Sequence, residues 1–251
     1  LKPYFPVFRA HPLLFQFIVS LGYLSGVSDL TGRLFAVGVG LITIYLMYHL
    51  GSLLYGKKAG LIAALIIALM PYHIVITRQI LLDGPMALCA TLTLYLTAMI
   101  GNTKQPKWLY AASAALGLTL LAKETGFILV GAVYTFLTLY PAIRVRVKHI
   151  IGSIVCIVLI VLPFTLSTAL AGGSRSTQSY LIWQIFRRPN HEWYFYATTV
   201  PFAIGLLVIV AALLGVWLLR REHSWKETLL LAWIVVPTVF FQIWPVKGFQ
   251  Y

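Results

Sequence analysis

The sequence carries little charge for its length, and acidic residues are especially scarce. Charged residues make up 10% of the 251 positions, against about 25% in a typical soluble domain. Hydrophobic residues account for 60% of the chain, and the mean hydropathy is +0.89. These values exclude a soluble globular protein and a disordered chain.

Cysteine is scarce, and recognised metal-binding motifs are missing. The two cysteines, Cys89 and Cys156, lie inside apolar runs and support neither a disulfide nor a metal site. There is no HExxH, no CxxC and no cluster of histidines, so a divalent cation is not indicated. A glycine-rich nucleotide loop is absent as well. We therefore expect no cofactor and no nucleotide-dependent reaction within this chain.

Long apolar runs dominate what is present, and they predict an all-α, polytopic transmembrane bundle. Alternating ten-residue strands, the mark of an outer-membrane barrel, are not seen. Residues 13–27 are apolar but short, and we interpret them as an interfacial or re-entrant helix. Eight spanning helices are predicted to follow, at 34–55, 59–76, 84–100, 108–122, 126–142, 148–170, 196–219 and 227–245.

The formal charge of +13 arises from 19 basic and 6 acidic residues. In a soluble protein such an excess would suggest nucleic acid. Here the basic residues lie mostly in short gaps between apolar runs, so orientation in the membrane is the simpler explanation, with lipid phosphates as the second. We expect a membrane environment and no nucleic-acid partner.

Counting basic residues on alternate sides gives ten against nine, which does not by itself decide the orientation. Ten lie in compact turns on the side that we predict to be cytoplasmic: Lys57, Lys58, Lys104, Lys107, Arg144, Arg146, Lys148, Arg220, Arg221 and Lys226. Nine lie on the other side, mixed with acids, histidines and aromatics: Lys2, Arg9, Arg33, Arg78, Lys123, Arg175, Arg187, Arg188 and Lys247. That mixture is typical of a polar site.

The clearest polar segment is RQILLDGP, at residues 78–85. Gln79 and Asp83 are four residues apart and would share a face on a continuing helix, with the long Arg78 side chain within reach. One interpretation is that Asp83 only caps the next helix, with Gly84 and Pro85 in its first turn. The other is that Asp83 orients a cation or a donor at a membrane-embedded functional site.

Lys123 and Glu124 interrupt the apolar stretch LTLLAKETGFILV. Adjacent helical residues do not face each other, so these two are not a simple ion pair. Either they form the turn of a helical hairpin, or Lys123 presents its ammonium to a phosphate. By spacing alone, a lone histidine such as His11 is more often structural, and Arg33 is adequately explained by snorkelling and pairing at a helix end.

The long segment 171–195 carries two weaker signals. Its Gly-Gly-Ser-Arg stretch at 172–175 fits a small anion nest but lacks the Walker spacing. Arg187 and Arg188, with Trp183 and Trp193 nearby, fit an interfacial belt, and a carbohydrate or lipid-phosphate contact is the alternative.

Several short motifs follow one another along the chain: His11-Pro12-Leu13, Gly26-Val27-Ser28-Asp29, Arg33-Leu34, Gly56-Lys57-Lys58, Arg78…Asp83, Lys123 and the terminal PVKGFQY. In this order and spacing, and most clearly over residues 11–125, they resemble the protein O-mannosyltransferase and aminoarabinose-transferase superfamily. These are integral-membrane glycosyltransferases of the C-type fold. The resemblance implies an integral membrane protein of the plasma or inner membrane, or of the endoplasmic reticulum in a eukaryote.

The resemblance also implies a mechanism. A polyprenyl- or dolichyl-phosphate sugar, carrying a hexose or a pentose, would donate to a hydroxyl of an unknown acceptor on the outer or lumenal side. Cations would stabilise the charge that develops on the leaving phosphate. The candidate substrate-binding residues are His11, Arg33, Arg78, Lys123, Glu124 and Lys247, with His11 and Lys123 as phosphate contacts and Asp83 in a supporting role.

Two positions depart from the family pattern. Leu13 replaces a second proline after His11-Pro12, and the family's catalytic acid lies upstream of that motif, where residues 1–10 contain no acid. We therefore expect the base upstream of Leu1, and 1–251 to be a single transmembrane domain cut at both ends and not competent alone. The alternatives are a lipid-linked-sugar binding protein or flippase, and a structural membrane subunit.

Overall fold

The computed structural model describes residues 11–143, 145–170, 190–219 and 224–244, together with Lys247. The predicted nest at 172–175 and the predicted belt at Arg187 and Arg188 lie outside these residues, as do Lys2, Arg9, Arg144, Arg220 and Arg221. Every regular element in the described ranges is helical. The α-helices are α1 Leu14–Gly22, α2 Asp29–Tyr55, α3 Lys57–Leu69, α4 Pro71–Arg78, α5 Asp83–Thr103, α6 Lys107–Ala122, α7 Ile128–Leu139, α8 Val147–Leu170, α9 Phe195–Ile204, α10 Leu206–Leu219 and α11 Trp225–Ile243. Short 3₁₀ turns cover Tyr23–Ser25 and Glu124–Phe127.

The all-α membrane architecture is confirmed, although the helices are less uniform than eight straight spans. By length and composition, α2, α5, α8 and α11 are each able to cross a membrane. The predicted span 59–76 is the pair α3 and α4, bent by 62°, and the predicted span 196–219 is the pair α9 and α10, bent by 101°. The predicted spans 108–122 and 126–142 correspond to shorter apolar helices. The described chain thus has four to six candidate spans by this measure.

The two bends have local causes in the sequence. Pro71 is the first residue of α4, where its missing N–H cannot continue the hydrogen bonding of α3, and Met70 before it is extended. Gly205 separates α9 from α10 with a φ of +93°, a conformation that favours glycine. Each apolar run is therefore long enough for one span but is divided into two helices.

A core forms where α2, α5, α6, α7 and α11 meet. Its fully buried side chains include Ile100, Leu109, Phe136 and Leu229. The outward faces remain apolar, and α8 in particular buries few of its residues. Exposed apolar surface of this extent is what a lipid-facing helix presents.

Buried hydroxyl groups on α5 are satisfied within the helix. Thr91, Thr93 and Thr97 each donate to the carbonyl four residues earlier, over 2.7–2.8 Å. This is the usual way in which threonine is tolerated where no water is present. The hydroxyls of these three threonines are therefore satisfied within their own helix.

Contacts at the helix ends agree with the predicted alternation of sides. On the side that we predict to be cytoplasmic, Tyr55 at the end of α2 donates to Glu227 at the start of α11 over 2.9 Å. At the opposite ends, Asp83 at the start of α5 bonds Lys123 after α6, and Phe127 before α7 packs on Phe240 near the end of α11. Residues predicted to lie on one side are therefore close in space.

Candidate functional site: a polar cluster and an arginine cleft

A buried ion pair joins the start of α5 to the end of α6. The Lys123 ammonium donates to Oδ1 of Asp83 over 2.8 Å, and the two side chains are only 6% and 14% exposed. Lys123 itself has an extended backbone, with a φ of −156°, between α6 and the 3₁₀ turn. This break aims the lysine back towards α5.

The interpretation of Asp83 as a helix cap alone is wrong. Asp83 is the first residue of α5 and not its N-cap, which is Leu82, and no side chain caps this helix. Gly84 and Pro85 do lie in the first turn, as predicted. The Asp83 carboxylate instead bonds a cation 40 residues away, because α5 and α6 form an antiparallel hairpin whose open ends meet here.

A second acid–base pair lies next to the first in the sequence. Nδ1 of His11, just before α1, is 2.9 and 3.0 Å from the two carboxylate oxygens of Glu124. Both side chains are more than a third exposed. A histidine that seemed structural by spacing alone is thus held at the same helix ends as Lys123.

The electrostatics of the two pairs are coupled. The hydrogen bond to Glu124 raises the pKa of His11 above its ordinary value of 6.5, against partial burial, which lowers it. Burial has the largest single effect on Glu124 and raises its pKa, but the hydrogen bond from His11, a backbone hydrogen bond and the charges of His11 and Lys123 together lower the pKa below its ordinary value of 4.5. Lys123 and Asp83 also act on the His11 charge. We call His11, Asp83, Lys123 and Glu124 the polar cluster.

Tyr72, near the polar cluster, was not predicted from the sequence. The Tyr72 phenol, on the first turn of α4, is close enough to Asp83 to interact with its charge. The only signal was an aromatic polar residue beside the helix-breaking Pro71. In the described part of the chain, no group of three or more His, Cys, Asp or Glu side chains is arranged to hold a metal ion.

Arg78 and Gln79 do not join the polar cluster in the predicted way. Helix α4 ends at Arg78, Gln79 is extended, and α5 begins only at Asp83, so Gln79 and Asp83 do not share a helical face. The expectation of a continuing helix is therefore wrong, because residues 79–82 form a non-helical link between α4 and α5.

Arg78 instead meets Arg33 across a separate cleft of about 520 Å³. We call it the arginine cleft, and it is lined by Asp29, Arg33, Val75, Arg78, Gln79 and Ile80. The sequence placed both arginines on the same side of the membrane but gave no sign that they face one cavity. Residues 79–82 connect this cleft to Asp83 of the polar cluster.

Lys247 is buried, and the structure places it against Asn190. The Asn190 amide donates to the Lys247 carbonyl over 2.7 Å, and the Lys247 N–H donates back over 2.8 Å. These bonds hold the backbone of Lys247 next to Asn190. Asn190 was not among the residues that the sequence suggested.

Comparison with known proteins supports the family suggested by the motifs. The family model of dolichyl-phosphate-mannose-protein mannosyltransferases matches residues 10–167, which include both the polar cluster and the arginine cleft. The chain belongs to this mannosyltransferase family. The match reaches beyond residues 11–125, where the resemblance was clearest from the sequence.

Two individual proteins illustrate the relationship. "Putative mannosyltransferase YycA" of Bacillus subtilis (strain 168) is 32% identical over 144 residues, 57% of this chain and 20% of that protein. The crystal structure of ArnT from Cupriavidus metallidurans bound to undecaprenyl phosphate shares the fold, with a TM-score of 0.74 and 20% identity over 96% of this chain. This chain spans 47% of the length of that ArnT chain. The C-type glycosyltransferase fold and the integral membrane character are thereby confirmed.

Proposed function

We propose that this protein takes part in transferring a sugar, a hexose or a pentose, from a polyprenyl-phosphate donor to an acceptor hydroxyl on the outer or lumenal side. The transfer site consists of the polar cluster and the arginine cleft. The single observation that carries the proposal is the Asp83–Lys123 pair, two charges held at membrane-helix ends with little exposure. Burying charges is costly, and paired charges at such depth are typical of a functional site.

The geometry suggests a division of roles within this site. Lys123 holds Asp83 at the start of α5, and His11 holds Glu124 at the turn before α7. Each carboxylate is thus fixed in place, next to where charge would develop on a leaving phosphate. In this arrangement Asp83 and Lys123 are positioning residues that support the reaction.

The proposal is supported by membership of a mannosyltransferase family and by a fold shared with a protein that binds undecaprenyl phosphate. A donor on a bacterial undecaprenyl carrier is therefore the first to test. The dolichyl carrier named in the family description is the second.

The test is sugar transfer by the purified full-length protein that contains this chain, in lipid nanodiscs. Radiolabelled undecaprenyl-phosphate mannose is supplied with a membrane extract as the source of acceptor, and transfer of label out of the lipid fraction is measured. We expect Asp83→Asn and Lys123→Ala to abolish transfer by the protein that still assembles, so the rate is expressed per folded molecule because both variants are less stable than the parent. Lys58→Ala, an exposed lysine at the far end of the bundle, is the matched control and should transfer normally.

Each contrary outcome identifies a different error. Transfer at the parental rate by both variants would remove Asp83 and Lys123 from the site. Binding or movement of the lipid-linked sugar across the bilayer, without a glycosylated product, would support the binding or flippase alternative. Variants that only lower expression and thermal stability would indicate a structural subunit.

A further inference from the structure

A second cavity lies at the opposite end of the bundle from the transfer site. It opens where the last turn of α2 and the neighbouring ends of α10 and α11 meet, on the side that we predict to be cytoplasmic. Its volume is about 450 Å³, within the range of about 300–1,000 Å³ that is usual for pockets that bind small molecules. We call it the α10–α11 pocket.

The inner part of the α10–α11 pocket is apolar. Helix α10 lines it with Val216 and Leu219 among others, and α11 lines it with Leu231 and Ile234. From Ser224, at the start of α11, to Ile234 the helix rises about 15 Å. That is about half of a hydrocarbon core about 30 Å thick. The pocket therefore lies within one leaflet, at the depth of the acyl chain of a lipid in that leaflet.

Gly215 leaves a gap in the wall that α10 gives to the pocket. An added Cβ at Gly215 would meet nothing within 4 Å, whereas one at Gly101 of α5 would meet the Trp225 ring at 2.3 Å. None of the residues of α10 is buried by the described part of the chain. A side chain introduced at Gly215 would therefore occupy the pocket without displacing its neighbours.

A carboxylate lies at the mouth of the pocket. Glu227 accepts from the Tyr55 hydroxyl over 2.9 Å and from the Ser224 N–H over 3.0 Å, and the Ser224 hydroxyl also donates to it. All these donors are neutral, and the ion pairs found among the described residues do not include Glu227. A carboxylate has about four acceptor positions. Its negative charge and part of its accepting capacity therefore remain for a cation that carries N–H groups.

A lysine lies beside this carboxylate. The Lys226 ammonium is 5.3 Å from the centre of the Tyr55 ring, and the hydroxyl of the same tyrosine donates to Glu227. The mouth thus presents one positive and one negative group around one ring. A headgroup in which a phosphate and an ammonium are joined by a short linker matches this pair. A purely anionic headgroup would instead be repelled by Glu227.

We propose that the α10–α11 pocket binds a membrane phospholipid with a primary-amine headgroup, phosphatidylethanolamine. An acyl chain lies between α10 and α11, the ammonium donates to Glu227, and the phosphate lies near Lys226. A primary ammonium has N–H donors for the carboxylate. The quaternary ammonium of phosphatidylcholine has none, and phosphatidylglycerol has no cation. This site does not depend on the proposed sugar transfer, since it lies at the other end of the bundle.

The test is lipid binding by the purified full-length protein that contains this chain, stripped of lipid in detergent and followed by native mass spectrometry. Phosphatidylethanolamine, phosphatidylcholine and phosphatidylglycerol with the same acyl chains are titrated separately. We expect phosphatidylethanolamine to bind about tenfold more tightly than the other two, the usual effect of one charge-assisted hydrogen bond.

Two variants test the two halves of the pocket. Glu227→Gln removes the charge but preserves a side chain that can complete the capping box of α11, and it should abolish the preference for phosphatidylethanolamine. Gly215→Phe fills the apolar part and should weaken binding of phosphatidylethanolamine by about tenfold or more. Gly38→Phe is the matched control, since Gly38 also meets open space and lies about 25 Å from Tyr55 along α2. It should bind within about twofold of the parent.

Several results would overturn the proposal. Equal affinity of the parent for the three lipids would show that the headgroup is not recognised, and tighter binding of phosphatidylglycerol would show a site for anionic lipid instead. Binding that is unchanged in Gly215→Phe, or reduced equally in Gly38→Phe, would place the lipid elsewhere. No lipid bound by the full-length protein would show that another segment covers the pocket.

Thermal unfolding without added lipid checks that each variant is assembled. Should Gly215→Phe fail to assemble, Leu231→Trp fills the same pocket from α11, where Leu231 is exposed. It should weaken binding of phosphatidylethanolamine to the same extent. Parental binding by an assembled Leu231→Trp protein would overturn the proposal as well.

Discussion

Breaking the buried pair between Asp83 and Lys123 should strongly destabilise the protein. The two atoms are 2.8 Å apart, and the side chains are 6% and 14% exposed, so little water is present to screen a charge left alone. Removing one partner of such a pair typically costs about 3–5 kcal/mol, because the other charge stays buried without compensation. We expect Lys123→Met and Asp83→Asn each to lower the free energy of unfolding by about that amount.

The double variant distinguishes the energy of the interaction between Asp83 and Lys123 from the cost of replacing each side chain alone. With both charges gone, no uncompensated ion remains, and replacing a buried ion pair by apolar groups is often close to neutral. Asp83→Asn combined with Lys123→Met should therefore cost less than the sum of the single variants, by at least the coupling of about 1–3 kcal/mol that contacting residues usually show.

The assay is unfolding by a denaturing detergent, followed by tryptophan fluorescence and analysed as a double-mutant cycle. Lys58→Met removes an exposed lysine from the first turn of α3 and is the control, expected within about 0.5 kcal/mol of the parent. Strictly additive single variants, or a cost below about 1 kcal/mol for each, would refute a buried, coupled pair.

Three further predictions concern stability. The His11–Glu124 pair should contribute fully to the stability of the fold between pH 4.5 and 6.5. That contribution should be lost as pH rises through the raised pKa of His11, and also as pH falls through the lowered pKa of Glu124. Thermal unfolding from pH 4 to 9 should show a decline in the unfolding temperature above pH 6.5 that Glu124→Gln removes, and an unchanged profile in that variant would contradict the prediction. Gly40→Ala should cost about 1–3 kcal/mol through the clash with Thr77, whereas Gly38→Ala, which meets open space on the same helix, should be neutral or stabilising in the same unfolding assay. Ser224→Ala removes the capping box of α11 and should cost about 1 kcal/mol in that assay, and no loss would show that water caps the helix equally well.

The membrane fold was predictable because apolar run length and the physics of the bilayer leave few choices. The lengths of the apolar segments do not predict where a segment bends. Pro71 and Gly205 were visible in the sequence, but proline and glycine also occur inside unbroken membrane helices. Pro163 lies within α8 and Pro237 within α11, each of which is a single helix. Whether a helix breaks depends on what its neighbours allow, and that is tertiary information.

The sequence predicted which residues belong to the candidate site better than it predicted which of them pair with each other. Asp83 and Lys123 stood out as polar residues between apolar runs, and His11 became a candidate only through the family resemblance; the structure brings all three together. Their partners could not be assigned, since Asp83 and Lys123 are 40 residues apart and His11 and Glu124 are 113 apart. Helical spacing gave Asp83 a local neighbour in Gln79, and that failed because the chain leaves the helix after Arg78.

The structure explains why the numbers of basic residues on the two sides are nearly equal. On the predicted cytoplasmic side, most of the described basic residues are exposed: Lys57, Lys58, Lys104, Lys107, Arg146 and Lys148. On the other side, Lys123 is neutralised by Asp83 and Lys247 is buried, whereas Arg33 and Arg78 are exposed and line a shared cleft. Exposed cations are the ones that orient a membrane protein by meeting lipid headgroups and the insertion machinery. A cation that is neutralised by a buried acid, or is itself buried, cannot serve that purpose, so leaving Lys123 and Lys247 out of the count gives the predicted cytoplasmic side a clearer excess of basic residues.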